Sequence, residues 1–129
     1  MHCDKHMVVR LVSWVIIAGS LWPEGGSAAE ATVGPLTIET IGIISRPFGG
    51  HAAGNMEVRT SGFPDSSLPI VCDRTYVTTK QDANSLAIMI NLLTIAQTTG
   101  QPVYLRITDD PNLMAFTGRC SLMSVGLTQ

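Results

Sequence analysis

Residues 78–108 read TTKQDANSLAIMINLLTIAQTTGQPVYLRIT, and the change of period inside this stretch decides the fold. Thr78-Thr79-Lys80-Gln81 has the spacing of a capping box, with Thr78 as N-cap and Gln81 reaching back to it. The apolar residues that follow recur at helical intervals as far as Thr98 or Thr99. Gly100 stands where a left-handed C-terminal residue is wanted, and Pro102 follows it. Val103, Leu105 and Ile107 then alternate with Tyr104, Arg106 and Thr108, the period of a half-buried strand. The stretch therefore predicts a helix running directly into a strand.

Working outward, strand signals lie on both sides. Residues 36–45 (LTIETIGIIS) alternate through Thr40 and then change parity at Ile41 and Ile43. A parity change beside Gly42 predicts a bulge or bend in a long first strand. Residues 46–54 (RPFGGHAAG) form a Gly/Pro loop, residues 56–60 a short second strand and residues 61–67 (SGFPDSS) a turn. Residues 68–72 (LPIVC) are the expected third strand, with an extension to Val77 left open. After the helix and the fourth strand, Asp109-Asp110-Pro111-Asn112 is turn chemistry, and a fifth strand covers residues 119–127. Three strands, a helix and two strands is the order of an OB-fold, so the expected class is mainly β with one helix. The helix would lie between strands 3 and 4 of a five-stranded barrel. An unclosed sheet covered by one helix has the same order.

The chain has 129 residues, enough for one domain. Hydrophobic residues make up 45% and charged residues 14%, a balance that excludes a disordered polyelectrolyte. The net charge of −2 offers no basic excess for a phosphate backbone, and 5% aromatics gives little to stack bases on, so no nucleic-acid partner is expected.

Residues 1–29 read as a secretory signal peptide: Lys5 and Arg10 precede an apolar run at residues 11–22, and Ser27-Ala28-Ala29 suits a signal peptidase. As a helix those twelve residues rise only about 18 Å, short of a hydrocarbon core of roughly 30 Å. Cleavage before Glu30 would leave residues 30–129 as the domain, exported to the periplasm or the exterior; Ala29-Glu30-Ala31 is a second candidate peptidase site. It removes Asp4, Lys5, Arg10 and Glu24, so the net charge is unchanged. It also removes Cys3, leaving Cys72 and Cys120, an even pair that reads as one disulfide worth roughly 3–4 kcal/mol.

The helix carries two apolar faces. Ala83, Leu86, Met89, Ile90 and Leu93 cover one broad side suited to closing a barrel end. Ile88, Leu92 and Ile95 form a second row on nearly the opposite side. A helix on so small a domain has one barrel to pack against, so this row is expected to be a subunit interface. The competing expectation is that the loop 46–54 or the segment 113–116 folds over it.

Residues for chemistry are few. His51 sits in a Gly-rich loop without a visible acid partner and reads as a surface histidine, so no catalytic triad is expected. Three Cys and His residues remain after position 29, too few for structural zinc. Asp109 and Asp110 are ordinary turn residues rather than a calcium loop. No metal, cofactor or enzymatic activity is expected. For binding, the outer side of the fourth strand would offer Tyr104, Arg106 and Thr108, an aromatic face, a donor fork and a hydroxyl able to hold a sugar.

Residues 92–103 (LLTIAQTTGQPV) resemble the pentameric binding subunits of subtilase cytotoxin, typhoid toxin and related pertussis-like toxins. Ser124-Val125-Gly126-Leu127-Thr128 is similar to a Val-Gly-Leu-Ser segment of those subunits, and Cys72 to a family cysteine. The resemblance spans residues 68–127 and is thin over the first two strands. It implies an exported OB-fold that forms a homopentameric ring, binds host-cell glycans and carries a catalytic toxin subunit. One departure stands out. The family's sugar-binding serine precedes a glycine near the start of the first strand, whereas Val33 precedes Gly34 here. Two expectations follow: a non-catalytic glycan-binding toxin subunit, or a small exported single-disulfide interaction or structural domain with no sugar site.

Overall fold

The computed structural model describes residues 27–64 and 67–129. The leader expected over residues 1–29 therefore lies almost wholly outside the described residues. The elements are β1 (Glu30–Ile43), β2 (Met56–Ser61), β3 (Asp73–Thr79), α1 (Leu86–Thr99), β4 (Val103–Thr108) and β5 (Arg119–Leu127). The strands close into a barrel in the order β1-β2-β3-β5-β4, with β4 returning to β1. Neighbours are antiparallel except β3 and β5, which run parallel. The chain is thus mainly β with a closed, OB-like five-stranded barrel and one helix between β3 and β4, not an open sheet.

Closure depends on β1, which pairs with β4 through its first half and with β2 through its second. Its register slips between Ile38 and Thr40, so the expected bulge falls at Glu39 rather than beside Gly42. The strand also begins earlier than its alternation indicates, at Glu30, which pairs with Thr108. A second irregularity lies between Val33 and Leu36. There a Cβ on Gly34 would fall 2.5 Å from Tyr104 Cδ1 and 2.8 Å from the Val103 carbonyl oxygen, so only glycine lets β1 approach β4.

Two local expectations are corrected. Residues 68–72 are not a strand; β3 is the extension beyond them, starting at Asp73. Thr78 and Thr79 do not cap the helix. They are buried in β3 opposite Glu57 and Met56, and the helix starts after Ser85, which makes no side-chain capping bond. β-branched residues suit a strand better than a helix start, and the pairing with β2 wins. The helix end is as expected: Gly100 has φ 71° and ψ 13°, the left-handed conformation.

The core contains Val33, Leu36, Ile38, Met56, Val58, Val77, Leu105 and Ile107 from the barrel, closed by Met89, Leu93 and Ala96 of α1. Cys72 and Cys120 form the expected disulfide, with Cα atoms 5.0 Å apart. It ties the segment entering β3 to the start of β5 on the parallel seam of the barrel. A disulfide is compatible with export. No described helix is long and apolar enough to cross a membrane.

Candidate functional site

Three surfaces bear on function. The first is the outward side of α1. Ile88 is 63% exposed and Ile95 47%, while Leu92 between them is half-buried. Neither the loop 46–54 nor the segment 113–116 covers this row; they pack on each other through His51 and Phe116 instead, with ring centroids 4.5 Å apart. The apolar row stays open among the described residues, with Leu92 contributing less surface than its spacing indicates.

The second is the outer face of β4. Tyr104 is exposed and lies against Gly34. Arg106 is exposed too, but Glu30 on β1 holds it, with Nε 2.8 Å from Oε2. Thr108 corrects the expectation: it is buried, 1% exposed, and its hydroxyl donates to the Ala29 carbonyl at 2.8 Å. The chain on either side covers it: its hydroxyl also accepts the Asp110 amide at 3.1 Å, so the residue before β1 and the turn after β4 close over Thr108. Tyr104 and Arg106 therefore share the face without the hydroxyl. Val33 is buried as well, so the position before Gly34 offers nothing to a ligand.

Next to Thr108, Asp109 acts as a structural clamp. Its carboxylate accepts the Val71 and Ala29 amides, each at 2.8 Å, and these bonds hold its pKa below the usual carboxylate range, Val71 contributing most. Asp110 caps its own turn by accepting the Asn112 amide at 2.9 Å. No group of three or more His, Cys, Asp or Glu side chains able to hold a metal exists among the described residues.

The third surface was not legible in the sequence. His51 is not a surface residue; it is 6% exposed. Its Nε2 lies 3.2 Å from Arg119 Nη1 and 3.6 Å from Glu57 Oε2. The same Nη1 donates to Glu57 Oε2 at 3.2 Å. The Arg119 guanidinium carbon sits 4.5 Å from the Phe116 ring centroid and 5.0 Å from that of Tyr76. Phe48 completes one wall of a cleft of about 270 Å³ lined by these residues. The contributing segments are the β1–β2 loop, β2, β3, the β4–β5 loop and the start of β5, so the site exists only once the barrel has closed. A larger cleft of about 470 Å³ lies by the start of α1, between Lys80, Asp82, Met89, Leu113 and Met123. Its lysine is occupied with the Asn112 carbonyl at 2.7 Å, and no aromatic side chain lines it.

No family model matches the chain, and neither a curated protein nor a solved structure matches it significantly.

Proposed function

We propose that the protein is a non-catalytic, glycan-binding subunit of a secreted multi-subunit toxin, assembling through α1 into a homopentameric ring that carries a catalytic subunit. The observation that carries the reading is the exposure of Ile88 and Ile95 on a helix whose other side already closes the barrel. Fully burying one such side chain is worth roughly 1.5–3 kcal/mol, which a monomer forgoes and a ring of like copies recovers. The closed barrel and the disulfide on its parallel seam supply the rigid, export-compatible scaffold such a subunit needs. The sequence resemblance over residues 92–103 and 124–128 supports the toxin setting. The glycan would be held by aromatic and paired polar side chains on the barrel's outer surface.

Light scattering coupled to size-exclusion chromatography tests this. A mass near five times that of the processed chain is expected. Ile88→Asp should lower it to the monomer mass with the circular dichroism spectrum unchanged. Leu92 is a poorer probe because, half-buried, it also serves the monomer. A wild-type monomer at all concentrations would overturn the ring and leave a solitary exported interaction domain, a reading that the commitment of Arg106 to Glu30 also favours.

A further inference from the structure

The cleft around Arg119 has a composition that sets it apart from the rest of the surface. Five aromatic residues follow residue 29: Phe48, Phe63, Tyr76, Tyr104 and Phe116. Three of them line this one cleft. In a chain so poor in aromatics, that concentration needs a reason beyond packing, because Phe48 remains 62% exposed and adds little to the core. The loop also holds its shape by close contact: a Cβ on Gly50, at φ 93°, would lie 3.0 Å from Phe116 Cε2. Glycine there lets the backbone lie against the ring.

The polar groups are equally specific. Arg119 uses only Nη1 for Glu57 and His51; Nε and Nη2 have no partner among the described residues. The contact of Nη1 with His51 Nε2 leaves Nδ1 as the second ring nitrogen. That Nδ1 is enclosed and makes no hydrogen bond. It shares that condition with side-chain atoms of Thr60, Arg74, Thr79 and Ser121, so the groups open to a ligand are those of Arg119 and Glu57.

Charge selects the ligand class. Glu57 neutralises Arg119 at 3.2 Å, so the pair offers donors and an acceptor with no net charge between them. An anionic ligand would meet the Glu57 carboxylate beside the guanidinium. A neutral ring rich in hydroxyls would meet complementary groups: donors at Arg119 Nε and Nη2, an acceptor at Glu57, and an aromatic wall at Phe48 for its C–H face. The volume of about 270 Å³ is below the usual range of drug-sized sites and fits one ring rather than a chain.

We propose that the cleft formed by Phe48, His51, Glu57, Tyr76, Phe116 and Arg119 binds a single neutral pyranose, with Arg119 Nε and Nη2 donating to its hydroxyls and Glu57 accepting from them. The inference rests on the glycan-binding reading above and gives it a ligand class and a place, away from the β4 face. The test is a nuclear magnetic resonance titration of the ¹⁵N-labelled protein with the methyl glycosides of glucose, galactose and mannose, and separately with N-acetylneuraminic acid as an anionic probe. At least one neutral glycoside should give saturable shifts in the millimolar range at residues 48–51 and 116–119 and at the His51 ring nitrogens. Phe48→Ala, at an exposed position that spares the fold, should weaken binding about 3- to 10-fold. Glu57→Gln should weaken it as well, and Tyr104→Ala should leave it unchanged. Saturable shifts confined to the surroundings of Tyr104 and Arg106 would overturn the cleft assignment while leaving glycan binding intact. Response to the anionic probe alone would overturn the ligand class. Silence towards every probe at these residues would overturn the proposal, whatever mass light scattering gives for the assembly.

Discussion

Leu93 and Ile88 stand on one helix within two turns of each other, and the structure places them in opposite surroundings. Leu93 is 0% exposed among the barrel residues, whereas Ile88 is 63% exposed. Leu93→Ala should therefore cost about 2.7–5 kcal/mol, the transfer of its side chain plus the cavity left behind. Ile88→Ala removes atoms that are mostly wet already, so the monomer should lose under about 1 kcal/mol. Alanine's better helix propensity returns a few tenths of that. The assay is urea unfolding followed by circular dichroism over a wide range of protein concentrations. For Leu93→Ala the midpoint should fall at every concentration. For Ile88→Ala it should match wild type at high dilution and fall below it where subunits associate, because assembly stabilises the folded chain by mass action. Equal losses for the two variants at high dilution would refute the division of the helix into a barrel face and a contact face. An Ile88→Ala midpoint equal to wild type at all concentrations would refute the contact face alone.

Four further outcomes follow from the same structure. Replacing both Cys72 and Cys120 by alanine opens a loop spanning 48 positions and should cost about 4 kcal/mol by the chain-entropy estimate, read from the urea midpoint under non-reducing conditions. Gly34→Ala should cost about 1–3 kcal/mol or more, since the added Cβ meets the Val103 backbone as well as the Tyr104 ring; a neutral outcome in thermal melts would show that β1 can withdraw from β4. Asp109 has a folded-state pKa depressed by the Val71 and Ala29 amides, so its contribution is complete above the unfolded value of about 3.9 and is lost as pH falls through the lower folded value. Asp109→Asn should therefore flatten the acid side of the stability profile, and an unchanged slope between about pH 5 and pH 2 would contradict the clamp. The expected cleavage before Glu30 would delete the Ala29 amide and carbonyl that hold Asp109 and Thr108, so a chain beginning at Glu30 should melt lower than one beginning at Ala28; equal melts would show those bonds to be dispensable.

How much of this was legible in the sequence depended on the range of the interaction. The end of α1 and the alternation of β4 up to Arg106 are local, set by a left-handed glycine and by the period of side chains along a strand, and both are found as expected. The start of the helix was misread because Thr78-Thr79-Lys80-Gln81 satisfies two local rules at once, a cap and a β-branched strand. What decides between them is pairing with Glu57 and Met56, more than twenty positions away. Thr108 failed in the same manner: its alternation places it outside, and Ala29, 79 positions away, covers it. His51 shows the limit most clearly. Its neighbours Glu57 and Arg119 come from other strands, Arg119 being 68 positions along the chain. No motif spacing reports such a cluster, and the one available signal was compositional: Phe48, Tyr76 and Phe116 are three of the five aromatics that follow residue 29.

The disulfide connects the fold to the cleft. Cys120 follows Arg119 directly at the start of β5, and Cys72 precedes β3, the strand that carries Tyr76. The crosslink thus fixes two of the cleft's walls to each other at the barrel's parallel seam, the pairing for which the register is interrupted between Asp73 and Thr78. Without it, the seam would rest on few backbone partners, and the Arg119 guanidinium would lose its fixed position between Tyr76 and Phe116. Pre-organisation of this kind lowers the cost of binding, since the side chains need not be ordered by the ligand. The cysteine-free variant should accordingly weaken neutral-sugar binding even at temperatures where circular dichroism shows it folded. Undiminished affinity in that folded variant would mean that the aromatic contacts alone hold Arg119 in place.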